Sequence, residues 1–138
     1  MSASVLAGPA FPNAPAAMAR EFVHTRLVAG NREAAWRAWT DPLERARWSA
    51  GSPLDGAIIE SVEPVWLVLG VHTELGGGVN AMERSSVTFV QLGDRTHVAV
   101  HSVIQFPVEP CEADYRRLDS AWTVRLDGIA AFSLECER

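Results

Sequence analysis

The sequence predicts an α+β domain: one antiparallel sheet with its helices gathered on one side. Three observations carry this. Short segments rich in β-formers alternate with turn signals between residues 57 and 106. Before them, two helix-start signals follow directly on another β-rich segment, Glu21–Val28. The chain then ends on a long stretch in which Tyr115, Leu118, Trp122, Leu126, Ile129 and Ala130 recur at three- and four-residue steps.

The elements follow in order. Residues 1–19 are rich in Ala, Pro, Ser and Gly and predict a flexible tail, so the folded domain is expected over 20–138. Glu21–Val28 reads as a strand, and Gly30-Asn31 breaks it. Asn31 can cap a helix over Arg32–Trp39, with Glu33 favourable in the first turn. Asp41 as cap and Pro42 at the first helical position start a second helix, ending around Trp48 to Gly51.

Ala57–Val62 is a strand, Glu63-Pro64 a turn, Trp66–Leu75 a longer strand and Gly76-Gly77-Gly78 a loop. Arg84–Leu92 and His97–Phe106 are strands joined by Gly93-Asp94-Arg95, a good hairpin signal. Pro107 and Pro110 end the sheet, and the long helix runs Pro110–Glu135 with Gly128 as a point where it can bend.

Composition excludes several function classes. The chain has 138 residues, suited to one domain, and its 48% hydrophobic and 21% charged content is ordinary for a globular protein. The net charge of -5, with twelve scattered arginines and no basic run, disfavours nucleic acid. No apolar stretch approaches the roughly 20 residues of a membrane helix. Met1–Ala19 carries no basic residue at its start, and Pro9, Pro12 and Pro15 break up any apolar core, so a secretory signal is not expected and a cytoplasmic location is. Cys111 and Cys136, placed on one helix 25 residues apart, lie nearly 40 Å from each other at about 1.5 Å per residue and cannot pair.

Several strings resemble one family. The first is Asn31-Arg32-Glu33-Ala34-Ala35-Trp36-Arg37-Ala38-Trp39-Thr40-Asp41-Pro42, followed by Ala46-Arg47-Trp48. The others are Gly56, Glu60, Val62 and Pro64 leading into Leu67-Val68-Leu69; Arg95 to Ser102, ending in His-Ser; and Ala121-Trp122 with Leu126-Asp127. In this order they resemble the branch of the START (SRPBCC) superfamily typified by activators of the heat-shock-protein ATPase. The resemblance implies a helix-grip fold, a curved antiparallel sheet wrapped around the long C-terminal helix with two short helices after the first strand. The chain departs from the family at Ser49–Asp55, which replaces a two-stranded segment. A sheet short by about one hairpin leaves unpaired edge groups that a homodimer would cover.

The resemblance implies binding of a small hydrophobic or polycyclic molecule between sheet and C-terminal helix, with no cofactor and no metal. The protein would then be a cyclase, aromatase- or hydrolase-like, acting on a secondary metabolite, or a sequestering or resistance protein. The alternative is a co-chaperone-like protein-interaction module. Trp122 on the helix, Tyr115 near its start and Trp39 on the wall are the expected ligand contacts, with His97 beside them and His101 as the group that handles a proton.

The residues themselves leave the histidines open. Alternation puts His97, Ala99 and His101 on one strand face and Val98, Val100 and Ser102 on the other. Hydrophobicity buries the valine face; the family pattern points the histidine face to the cavity. His72 and Glu74 read as outward and make at most half a metal site. No nucleophile motif, phosphate loop or dinucleotide fingerprint is present.

Overall fold

The first strand, β1 (Ala19–Ala29), begins two residues before the run of β-formers because Ala19 and Arg20 pair with Gln105 and Ile104. The computed structural model describes residues 19–74, 80–106 and 111–137. The tail up to Met18, the Gly76-Gly77-Gly78 loop and the two prolines that end the sheet lie outside the described residues. Helices α1 (Arg32–Thr40) and α2 (Pro42–Trp48) follow β1. Then come β2 (Gly56–Val62), β3 (Trp66–Glu74), β4 (Asn80–Leu92), β5 (Arg95–Gln105) and the long α3 (Glu112–Cys136).

The caps form as the sequence predicts. Asn31 Oδ1 accepts from the Ala34 amide at 2.8 Å. Asp41 Oδ1 accepts from the Leu43 and Glu44 amides at 2.9 and 3.1 Å, while the Asp41 amide closes α1 on the Arg37 carbonyl at 2.8 Å. One residue thus ends one helix and starts the next.

The strands form one antiparallel sheet in the order β1-β5-β4-β3-β2, so β1 and β2 are the edges. Its inner face carries Leu67, Leu69, Val71, Val87, Phe89, Val98 and Val100 against α1, α2 and α3. The fold is α+β with a long C-terminal helix, the helix-grip arrangement. Among the described residues no helix is long and apolar enough to cross a membrane.

Ser49–Asp55, where a hairpin was expected to be missing, contains no strand but is not slack. Leu54 enters the core, Arg125 of α3 donates to the Ser52 and Pro53 carbonyls at 3.0 and 2.9 Å, and the Asp55 carbonyl accepts from the His72 amide at 3.3 Å. Helix α3 is continuous through Gly128. Cys111 and Cys136 stand at its two ends, both free and exposed.

Candidate functional site

The register settles which face carries the histidines. Val98, Val100 and Ser102 are buried inward, while His97 and His101 lie on the outer face, paired with Leu27 and Val23 of β1. His101 Nε2 sits 2.7 Å from Glu21 Oε1 with its side chain about a third exposed, at 32%. The family-based placement of His97 and His101 toward a cavity is therefore corrected. Two valines and an isoleucine (Val98, Val100 and Ile104) on the other face outweigh two imidazoles in the competition for the interior. His72 and Glu74 are both exposed on that outer side.

Of the aromatic candidates, Trp39 and Trp122 are inside and Tyr115 is half-buried. Trp39 and Trp122 are fully buried and stack on one another, centroids 6.2 Å apart and rings 19° from parallel. Phe89 and Trp48 complete the cluster at 6.2 and 4.8 Å from Trp39. Tyr115 lies two turns away on α3, edge-on to Phe106 at 5.4 Å and beneath the Arg20 guanidinium at 5.2 Å.

Between these two groups of aromatics runs a polar layer. Glu83 of β4 retains 2% of its surface, and Ser85 and Ser102 none. Trp122 Nε1 donates to Glu83 Oε2, and Ser85 Oγ donates to the same oxygen at 2.7 Å. Ser85 has one proton and it is committed to Glu83. In the 2.8 Å contact between the serines, Ser102 must therefore be the donor. Below this layer lies a small apolar cluster of Ala81, Ile104, Phe106 and Leu118; above it lies the main core.

A buried charge needs a compensating partner. Arg125 supplies it without touching Glu83: its guanidinium carbon sits 4.7 Å over the Trp122 ring. One indole thus hydrogen-bonds the carboxylate through its nitrogen and receives the cation on its face. Burial lowers the pKa of Arg125, and the Glu83 charge partly offsets that by raising it.

Glu83 was not singled out in the sequence, although the signal is there. It stands in phase with Val87 and Phe89, two inward apolar positions, and hydrophobic alternation should not place a carboxylate among them. Two openings lie away from this layer. A cleft of about 220 Å³ lies between the end of β1, α1 and the last turns of α3, lined by Val28, Ala35, Ile129 and Phe132. A shallower one of about 390 Å³ lies over α2, between Pro42 and Leu54. Among the described residues no group of three His, Cys, Asp or Glu side chains is placed to hold a metal ion.

Comparison with known proteins identifies the fold. No protein-family model matches the chain, and no curated protein matches it in sequence. Solved structures do match. A protein from Rhizobium leguminosarum superposes with a TM-score of 0.71 at 16% identity, over 85% of this chain and 95% of that one. An HSP90 activator from Plasmodium falciparum gives 0.59 at 17% identity, over 75% of this chain and 87% of that one. DynU16, from the dynemicin biosynthetic locus, gives 0.61 at 18% identity, over 86% of this chain and 48% of that one. The chain thus has the helix-grip architecture that these proteins share.

Proposed function

We propose that the protein binds a small, largely apolar organic molecule at the interface of the sheet and α3, against the polar layer centred on Glu83. One observation carries this reading. A carboxylate buried between two apolar clusters costs stability and is not required by the fold, since replacing a buried ion pair with apolar side chains is often neutral or stabilising. A polar group fixed in an apolar setting is the usual make-up of a ligand site. The structural neighbour from a biosynthetic locus is compatible with a role in handling a secondary metabolite, by sequestering it or by promoting its cyclisation. If chemistry occurs, the proton-handling group in the interior is Glu83 rather than His101.

Native mass spectrometry of the purified protein tests the reading. A retained small molecule, lost in Glu83→Gln, is the expected result. A wild-type protein that carries no ligand, and whose melting temperature is unmoved by polycyclic or lipid-like compounds, would overturn it.

A second reading, a protein-interaction module, rests on β2. This edge strand exposes Ile58, Ile59 and Val62, and Val65 follows in the turn. Among the described residues its outer edge has no partner strand, and such an edge can take up a strand from a partner. A stoichiometric protein partner that protects the β2 amides from exchange would favour it.

A further inference from the structure

We infer that the Glu83 site selects an uncharged ligand that presents a hydrogen-bond donor, an O–H or N–H on an apolar frame. This inference rests on the small-molecule reading above and specifies its chemistry. It follows from counting protons and charges in the polar layer.

The layer has spare acceptors and no spare donor. Glu83 Oε2 already accepts from Trp122 and Ser85, while Oε1 has no hydrogen bond among the described residues. The Ser85 proton goes to Glu83 and the Ser102 proton goes to Ser85, so Ser102 offers only lone pairs. A ligand atom arriving here therefore meets acceptors. A carbonyl, ether or carboxylate would face repulsion and lose its hydration without replacement. An O–H or N–H would gain a charge-assisted bond to Oε1, stronger than a neutral one.

The charge balance decides between a neutral donor and a cation. Glu83 is compensated by Arg125, which is itself buried, lies across the Trp122 ring, and is anchored on the Ser52 and Pro53 carbonyls. It cannot leave without breaking both bonds. A cationic ligand would add a second positive charge to a pair already neutral, and desolvating that charge has no compensation. A neutral donor keeps the balance.

The site's place in the core agrees. It forms the seam between the main cluster and the smaller cluster of Ala81, Ile104, Phe106 and Leu118. A ligand reaching Glu83 at this seam would need apolar surface on both sides of one donor group.

The test uses three bicyclic probes of similar size on the full-length protein: 2-naphthol, 2-methylnaphthalene and 2-naphthylmethylammonium. Binding is followed by the indole N–H resonance of Trp122, assigned by its loss in Trp122→Phe. The expected order is 2-naphthol at least tenfold tighter than either other probe, with an upfield shift of that resonance as Glu83 shares its charge. Glu83→Gln replaces the free acceptor by an amide N–H₂ and should bring the naphthol preference to within twofold. Circular dichroism would show that this variant is folded, and the three-probe comparison in wild type stands without it. Equal binding of naphthol and methylnaphthalene, or tightest binding of the ammonium, overturns the inference but leaves the site. No binding of any probe removes the site itself.

Discussion

Gly128 sits where α3 crosses the end of α2, and a Cβ there would run into the Trp48 carbonyl oxygen. In the sequence the residue reads only as a helix-weakening glycine. Its reason is a contact 80 positions away along the chain, which no local pattern reports. Gly128→Ala gains about 1 kcal/mol in helix propensity. It also overpacks against a backbone atom that cannot rotate aside, at a cost near the upper end of about 1–3 kcal/mol. The expected net loss is about 2 kcal/mol in urea denaturation. A neutral or stabilising result would mean that the two helices separate easily. Glu83 belongs to the same scale. Because Arg125 compensates it, Glu83→Gln should cost about 1 kcal/mol in the wild-type background. With Arg125→Met already present, the carboxylate is an isolated buried charge and the same change should stabilise. A double-mutant cycle reads this as a coupling of about 1–3 kcal/mol; strict additivity would show that the two charges do not sense one another.

Helix α3 is held to the rest of the molecule by contacts of unequal worth. Along β1, Arg26 forms an ion pair with Asp127, and His24 Nε2 comes within 2.9 Å of Asp119 without hydrogen-bond alignment. Ser133 Oγ accepts from the Ala29 amide at 3.0 Å. The Arg26 pair is about half exposed and is worth little, so Arg26→Met should change stability by less than about 0.5 kcal/mol. Arg125 is buried and donates to two backbone carbonyls, so Arg125→Met should cost about 2–3 kcal/mol. It should also accelerate amide exchange in residues 49–55 while leaving β4 and β5 protected. Uniform acceleration across the sheet would show that Arg125 supports the whole core rather than the loop. Sequence spacing revealed the helix and its apolar face through Leu118, Trp122, Leu126 and Ile129. By its charge alone, Arg125 reads from the sequence as a solvent-covering residue, yet it is buried. The error has a physical cause: an arginine can bury its stem and satisfy its head on carbonyls that only the folded loop supplies.

At the scale of the whole molecule, the order of elements was legible because turns, caps and periodicity are local. The strand order was not, because it depends on which distant strands pair; the outward histidines were legible in the apolar Val98, Val100 and Ile104 face, and only the family pattern pointed the other way. Among the described residues the sheet ends on β1 and β2, and the two edges differ. β1 is flanked by α3, whereas β2 has an irregular register opposite β3 between Ile58 and Glu60 and exposed residues along almost its entire length. A bulge weakens a template for further pairing, but exposed isoleucines on an edge strand favour it. We expect the isoleucines to prevail at high concentration, giving a concentration-dependent dimer through β2. Sedimentation velocity over a hundredfold range of concentration should show the mass rising, and Ile59→Lys should hold it at one chain by placing a charge on the edge. A wild-type protein that stays monomeric throughout would show that the bulge alone protects this edge. A dimer that survives Ile59→Lys would place the contact elsewhere, with the outer face around Val23, which is 67% exposed, and Val90 as the next surface to alter.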